Sequence, residues 1–398
     1  MDRVILAYSG GLDTSVAVHW LKHTRKLCVE TFIADLGQDE ALDMKQICAR
    51  ALAVGAEQAH TADLREEFVE GFILPALKAN AVYEEGYLLA TALGRPLIAE
   101  RLVKIAQKRK CKFVAHGCTG KGNDQVRFET TIAALDPTLK VIAPLREWEM
   151  KSREEEIEYA AKHKIPVPVS KKSPYSLDKN LWGMSIECGV LEDPWVGPPE
   201  DAYQMTKNPA KAPNKPEEVV VSFEQGRPVA LNEKPMGLMD LIVKLNAIAG
   251  AHGVGRADCI ENRVVGIKSR EIYEAPAGTV LHTAHRNLEA LVLSRDLMHF
   301  KEIISQRYSE IIYGGLWFGE MRRALDAFIE SSQRLVTGDV RVRLFKGRAV
   351  VTGRRSPYSL YSEELATYTE ADRFDHKAAE GFIKLYSLPS KAEGGRER

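Results

Sequence analysis

One stretch constrains this chain more than any other: Ala7-Tyr8-Ser9-Gly10-Gly11-Leu12-Asp13-Thr14-Ser15. An apolar run, Val4 to Ala7, precedes it, and Val16, Ala17, Val18, Trp20 and Leu21 follow. That order reads as strand, glycine turn and helix start. Gly10 and Gly11 have no Cβ, so the backbone can turn sharply and come close to an anion. The helix behind them offers unpaired N–H groups and the positive end of its dipole. Ser9, Thr14 and Ser15 add hydroxyls, and Asp13 can cap the helix or hold a metal ion. Such residues occur at any strand-to-helix turn, but two glycines, three hydroxyls and a carboxylate within seven residues point to a phosphate-rich ligand. The spacing fits neither the ATPase P-loop nor the dinucleotide Gly-x-Gly-x-x-Gly turn.

Beyond the turn, strands and helices alternate. Cys28 to Ala34 reads as a second strand. Met44 to Val54 has helical spacing and stops at Gly55, a C-cap. A strand-like stretch, 57–61, is followed by a helical one from Leu64 to about Ala79. Leu97 to Lys110 is again amphipathic and leads to the run Phe113–His116, and Val141 to Ala143 is the last short strand. This alternation predicts an α/β fold with a doubly wound, mostly parallel sheet, whose ligands gather at the carboxyl ends of the strands. Ser9–Ser15, Ala34 and a 117–127 loop are thereby expected around one crevice. Pro166 and Pro168 close this half, and six prolines between 194 and 216 predict an extended surface connection. Hairpins at 219–231 and 340–352, with a helix over 238–249 between them, predict a second, α+β domain. A short amphipathic helix spans 378–386, and the polar residues 390–398 are expected to be disordered.

Charge and cysteine usage narrow the function. Lys plus Arg and Asp plus Glu number 55 each in 398 residues, which argues against a polyanion such as tRNA as the main partner. No apolar run of membrane-spanning length occurs, and the first 25 residues hold the phosphate turn in place of a signal peptide. The six cysteines form no Cys-x-x-Cys pair, so neither a zinc site nor a redox pair is expected, and a cytoplasmic location is.

A second dense patch runs from His116 to Glu129. Gly117, Gly120 and Gly122 make a pliant loop, and Thr119, Lys121, Asn123, Asp124 and Arg127 offer donors, acceptors and both charges. A zwitterionic amino acid needs that mixture. His116 is expected to pack at its strand end, and His282 with His285 to be structural or interfacial, since no acidic third ligand stands at metal spacing.

The 7–15 stretch resembles the PP-loop of the ATP pyrophosphatases, Ser-Gly-Gly-x-Asp-Ser/Thr, which holds the pyrophosphate split from ATP. Taken with the 119–129 segment, Lys-Ala-Pro-Asn at 211–214, His-Gly-Val-Gly-Arg at 252–256, Glu-Asn-Arg at 261–263, Lys-Ser-Arg-Glu-Ile-Tyr-Glu at 268–274 and Ser-Pro-Tyr-Ser-Leu-Tyr at 356–361, the chain resembles the argininosuccinate synthase family over essentially its whole length. The resemblance implies a nucleotide-binding domain over 1–165, a synthetase domain over 166–363 and a C-terminal oligomerisation arm over 364–398. It implies a ligase of arginine biosynthesis. The citrulline ureido oxygen attacks the α-phosphorus of Mg-ATP, and the aspartate amine then displaces AMP from the citrullyl-adenylate. ATP is expected on Ala7, Tyr8, Ser9, Gly10, Gly11, Leu12, Asp13, Thr14, Ser15, Ala34 and Gly117, with Mg²⁺ carried by the ATP and not by a protein-only site. Citrulline is expected at Tyr87, Thr91, Asn123, Arg127, Ser176, Ser185, Glu261 and Tyr273, and aspartate at Thr119, Asn123 and Asp124. Ala92 stands where many relatives carry Ser. No general base is identified; Asp13 and Asp124 are the catalytic candidates.

Two other readings compete. PP-loops also serve tRNA-modifying ligases and amidotransferase synthetases, but paired cysteines, a basic face and a nucleophilic amino-terminal cysteine are all missing, residue 2 being Asp. An ATP-binding regulator without catalysis is disfavoured by the intact PP-loop and 119–129 segment. The tail helix carries Phe382, Ile383, Leu385 and Tyr386 and must bury that face somewhere. The resemblance implies a homotetramer in which the arm reaches a neighbouring subunit. No nucleic acid or membrane partner is expected.

Overall fold

The computed structural model describes residues 1–38, 43–84, 86–166 and 175–396; Pro168, Glu397 and Arg398 lie outside the described residues. Five parallel strands form the first sheet: β1 (Arg3–Ala7), β2 (Cys28–Asp35), β3 (Gln58–Asp63), β4 (Phe113–Ala115) and β5 (Lys140–Ile142). Their order is β3-β2-β1-β4-β5, with every pairing parallel. The chain winds outward from β1 in one direction and returns to wind outward from β4 in the other. The strand order therefore reverses between β1 and β4, the place where doubly wound sheets open a crevice. β1 and β2 read as near-continuous apolar runs because helices cover both faces.

Helices Leu12–His23 and Met44–Val54 join the first three strands, the second with Asp43 as N-cap and Gly55 in the left-handed C-cap conformation. The 65–78 stretch is helical throughout and contains a π-helical turn, Val69–Ile73. The next helix begins at Ala90, not at Leu97, and carries Pro96 inside it. Most of its apolar positions from Ala90 onward are buried, Ile98 and Ile105 partly so, and packing overrides the reading from periodicity alone. One carboxylate fastens these elements at the strands' amino ends. Glu30 of β2 is 1% exposed and meets Arg3 of β1, His60 of β3 and Arg109 behind the 90–108 helix.

Two antiparallel sheets follow. β6 (Ser176–Asn180), β7 (Gly183–Glu187), β11 (Arg256–Asn262) and β12 (Lys268–Glu274) form a sheet in the order β11-β12-β7-β6. The other runs β10-β9-β8-β13-β14, from β8 (Glu217–Glu224), β9 (Arg227–Leu231), β10 (Lys234–Pro235), β13 (Gly338–Phe345) and β14 (Arg348–Arg355). Both expected hairpins are there, and β8 also pairs with β13, so this sheet is closed by a distant part of the chain. The proline-rich connection contains short 3-10 turns at Glu200–Ala202 and Pro209–Lys211. Glu274 anchors it by accepting from the amides of Gln204, Met205 and Thr206. Helices Leu238–Ala251, Pro276–Val292, Arg295–Tyr313 and Glu320–Gln333 complete this half. His285 sits buried among Asn80 and Gln333, and His282 is buried without a partner among the described residues, so both are core histidines. In the tail, His376–Tyr386 is helical as expected, but Leu388–Gly394 is helical too where disorder was expected; Pro389 sits in its first turn, where a missing N–H costs nothing.

Burial opposes ionisation of Glu30, but Arg109, His60 and Arg3 outweigh it and hold its carboxyl below the usual carboxylate range. Its contribution to stability is therefore present above the unfolded-state value of about 4.3 and is lost as pH falls through the folded one. Glu30→Gln should cost about 1.5–3 kcal/mol at pH 7. Paired thermal melts should show that difference shrinking below about pH 4.

Candidate active site

The loop after β1 and the loop after β4 meet at the reversal point. Ala7 ends β1, and the helix begins at Leu12 with Gly11 as its N-cap. Gly10 has φ +80°, a conformation that side-chain-bearing residues rarely adopt, and Arg50 donates to its carbonyl at 2.6 Å. Ser9 Oγ bonds Thr14 Oγ1 at 3.1 Å and accepts from the Gly11 amide at 3.3 Å. The amides of Leu12, Asp13 and Thr14 find no acceptor among the described residues, which leaves donors open at a helix start, a geometry that suits an anion. Across from it, Gly117 lies so close that a Cβ there would come within 2.8 Å of Thr14 Cγ2.

The second cluster is not a loop to its end. A helix starts at Asn123 and runs to Leu135, so a second helix amino terminus faces the first. Its opening residues are held by the second half of the molecule. Asn123 donates to the Tyr313 hydroxyl at 2.7 Å and accepts from the Val264 amide at 2.9 Å. Arg127 donates through Nε to the Tyr313 carbonyl and through Nη1 to Asp124, both at 2.9 Å, and lies over the Tyr313 ring. Its Nη2 has no protein acceptor among the described residues, and the side chain is buried. Asp124 takes a second guanidinium, Arg95 Nε at 2.9 Å, and Arg95 also pairs with Asp178 of β6. Desolvation opposes ionisation of Asp124, yet Arg95 and Arg127 hold its carboxyl below the usual range; Asp178, half-buried and beside the Asp124 charge, is pushed up by desolvation first.

The antiparallel sheet β11-β12-β7-β6 closes the other side. Tyr87 and Tyr273 stack at 4.0 Å, and the Tyr87 hydroxyl accepts from the Ala92 amide at 3.1 Å. Thr91 Oγ1 lies 3.3 Å from Ser185 Oγ. Ala92 itself is fully buried. Tyr273 meets both Glu261 and Glu271, and Arg263 bridges Glu271 and Glu187.

All of this surrounds one cleft of about 650 Å³. Ala7, Tyr8, Ser9, Asp13, Thr14, Ala34 and Gly117 line one end of it. Tyr87, Thr91, Thr119, Asn123, Asp124, Arg127, Ser176, Ser185, Glu261 and Tyr273 line the rest. Gly10, Gly11, Leu12 and Ser15 do not line it: Leu12 and Ser15 are buried beneath the turn, Ser15 Oγ holding the Tyr8 hydroxyl at 2.9 Å. Arg95, Asp178, Glu187, Arg263 and Glu271 line the cleft as well and were missed. Arg263 and Glu271 lie within motifs already noted, whereas Asp178 lies in a segment with no pattern. His116 is fully buried, against Glu129 and Phe128, as expected of a strand-end packing residue. Among the described residues no three His, Cys, Asp or Glu side chains are placed to hold a metal ion. Asp13 stands at the phosphate end with its side chain 39% exposed and Arg153 3.9 Å away. Glu156, behind it, is pushed up to about 8 by burial and by the Asp13 charge.

Comparison with known proteins agrees with this architecture. A family model described as the arginosuccinate synthase N-terminal HUP domain matches residues 3–166, and the C-terminal domain model of the same family matches 175–393. Argininosuccinate synthase of Chlorobium phaeobacteroides (strain BS1) is 60% identical over 390 residues, covering 98% of this chain and 96% of the relative. The enzyme of that name from Symbiobacterium thermophilum is 58% identical over 389 residues, with 98% and 96% covered. That from Chlorobium luteolum is 57% identical over 390 residues, with 98% and 97% covered. With both halves matched and identity sustained along the whole cleft-forming chain, the protein belongs to the argininosuccinate synthase family.

Proposed function

We propose that the chain joins L-citrulline to L-aspartate, using ATP and releasing AMP and pyrophosphate, as a ligase of arginine biosynthesis. The observation that carries this reading is the single cleft in which a phosphate-binding helix start and an amino-acid-sized pocket of mixed charge share one space. ATP lies with its phosphates on the 9–15 turn and the rest toward Ala34 and Gly117. Citrulline lies between the Tyr87–Tyr273 stack, Thr91, Ser176, Ser185 and Glu261, its carboxylate toward Asn123 and the unused Nη2 of Arg127. Aspartate lies at Thr119, Asn123 and Asp124. The ureido oxygen is the nucleophile toward the α-phosphorus, and the aspartate amine then attacks the activated ureido carbon. The residues supply positioning and charge compensation, with no side chain assigned as general base.

The donor set suits a divalent cation that arrives on the phosphates, because Asp13 is the one carboxylate lining that end among the described residues and lies beside the helix start. Mg²⁺ held there would neutralise charge on the departing pyrophosphate. We assign 1–165 to nucleotide binding, 166–363 to the synthetase domain and 364–398 to an arm. No helix among the described residues is long and apolar enough to cross a membrane, and we place the enzyme in the cytoplasm. The arm's apolar face is open, with Phe382, Ile383, Leu385 and Tyr386 each at least 60% exposed, which supports a homotetramer with closed symmetry clasped by the arms.

Citrulline labelled with heavy oxygen in its ureido group should pass the label to AMP; label kept in argininosuccinate or lost to water would refute the adenylation. Arg127→Lys should weaken citrulline about 10- to 150-fold, with ATP affinity little changed, because an ammonium cannot reproduce the guanidinium's fixed fork. Steady-state constants for each substrate decide that point. Truncation after Arg373 should convert tetramers into dimers or monomers by light scattering.

A further inference from the structure

Glu261 on β11 and Glu271 on β12 meet at one phenol. The Tyr273 hydroxyl lies 2.9 Å from Glu261 Oε2 and 2.9 Å from Glu271 Oε2. The phenol faces both carboxyl oxygens as a donor with a single proton, which it either shares between them or gives to one while accepting from the other. Two full hydrogen bonds need a proton on one carboxyl, and with that proton the pair carries a single negative charge.

The surroundings decide which member is ionised. Arg263, on the turn after β11, donates to Glu271 Oε1 at 2.9 Å and to Glu187 of β7 at 2.6 Å. No cation pairs with Glu261 among the described residues; the Arg127 guanidinium, also lining the cleft, pulls its carboxyl down but is outweighed. Tyr87 lies over Tyr273, while Tyr313, Tyr83 and Cys259 face the pair as groups neutral at pH 7, all held upward by burial. Glu261 is 1% exposed, and burial first, then the Glu271 charge, pushes its carboxyl up to about 8.

We propose that Glu261 and Glu271 form a one-proton receptor for the citrulline α-ammonium: the empty pair shares a proton, and the arriving ammonium displaces it to solvent. The ammonium keeps its own three protons, so the proton released is the one the pair held. Two carboxylates and the phenol then surround the cation. The inference rests on citrulline lying on the Glu261 side of the cleft, and it adds Glu271 as a specificity-determining residue. A ligand without a free α-ammonium cannot expel the proton, and Nα-acetylcitrulline should be rejected.

Calorimetric titration of the full chain with citrulline tests this, with an α,β-methylene ATP analogue present and two buffers of different ionisation enthalpy. About 0.9 proton should be released per citrulline at pH 7 for a group titrating near 8. Affinity should rise roughly tenfold from pH 6 to pH 7. In Glu271→Gln the amide donates to Tyr273 and one of the two causes that raise Glu261 is gone, so at pH 7 the proton release should fall below that of the unaltered protein and the pH slope should flatten. Tight citrulline binding with no proton release and no pH slope overturns the receptor while leaving the ligase reading intact. Failure of the unaltered protein to bind citrulline overturns the ligase reading itself. Should Glu271→Gln not fold, the proton count and pH slope of the unaltered protein decide the matter.

Discussion

The cleft depends on a chain of charges, Asp178–Arg95–Asp124–Arg127, of which Arg127 is buried and the rest half-buried. Arg95 comes from the 90–108 helix, Asp124 and Arg127 from the helix after β4, and Asp178 from the antiparallel sheet. Arg127 extends the chain to the Tyr313 carbonyl. Desolvating four charged groups is expensive, and hydrophobic side chains of similar volume would hold such a junction at least as firmly. On the proposed reading the charges serve binding. Asp124 compensates Arg127 so that a guanidinium can wait, buried and oriented, with one nitrogen unspent.

That arrangement links fold to mechanism. A parallel sheet with a reversed strand order supplies two helix starts side by side, and these suit phosphates. It has no comparable means of gripping a zwitterion from the far side. The antiparallel sheet provides that wall through alternation, since successive residues of β11 and β12 point to opposite faces and set Glu261, Glu271 and Tyr273 toward the cleft. Each half is incomplete as a site. Activation of one substrate and attack by another require both chemistries within a few ångströms.

Much of the first half was legible in the sequence because its signals are local and physical. Gly10, Gly11 and the hydroxyls of 9–15 must lie together for steric reasons, and buried parallel strands announce themselves as apolar runs. The second half was less legible. β6, with the sequence Ser-Leu-Asp-Lys-Asn, carries polar residues because it lines a wet cleft, and β11, Arg-Ala-Asp-Cys-Ile-Glu-Asn, because Arg256, Asp258 and Asn262 pair with neighbouring segments, so both lack the pattern of half-buried strands. Arg95 was invisible for another reason. It sits inside a helix, and only tertiary packing brings it to Asp124. Glu261 and Tyr273 were located by resemblance alone, and nothing in spacing could have paired them with Glu271 across one hydroxyl.

The close approach of Gly117 to Thr14 has a consequence for how such chains drift. The methyl of Thr14 could swing clear of a new Cβ at 117, but that rotation would carry its hydroxyl away from Ser9. Serine at position 14 keeps the hydroxyl and has no methyl. An alanine at 117 is thus accommodated with the Ser9 contact intact once position 14 has changed to serine. Residues from two separate loops behave as one mutational unit, and the order in which they change matters. A search of variants made one site at a time would score 117 by the lost Ser9 contact and miss the route through 14.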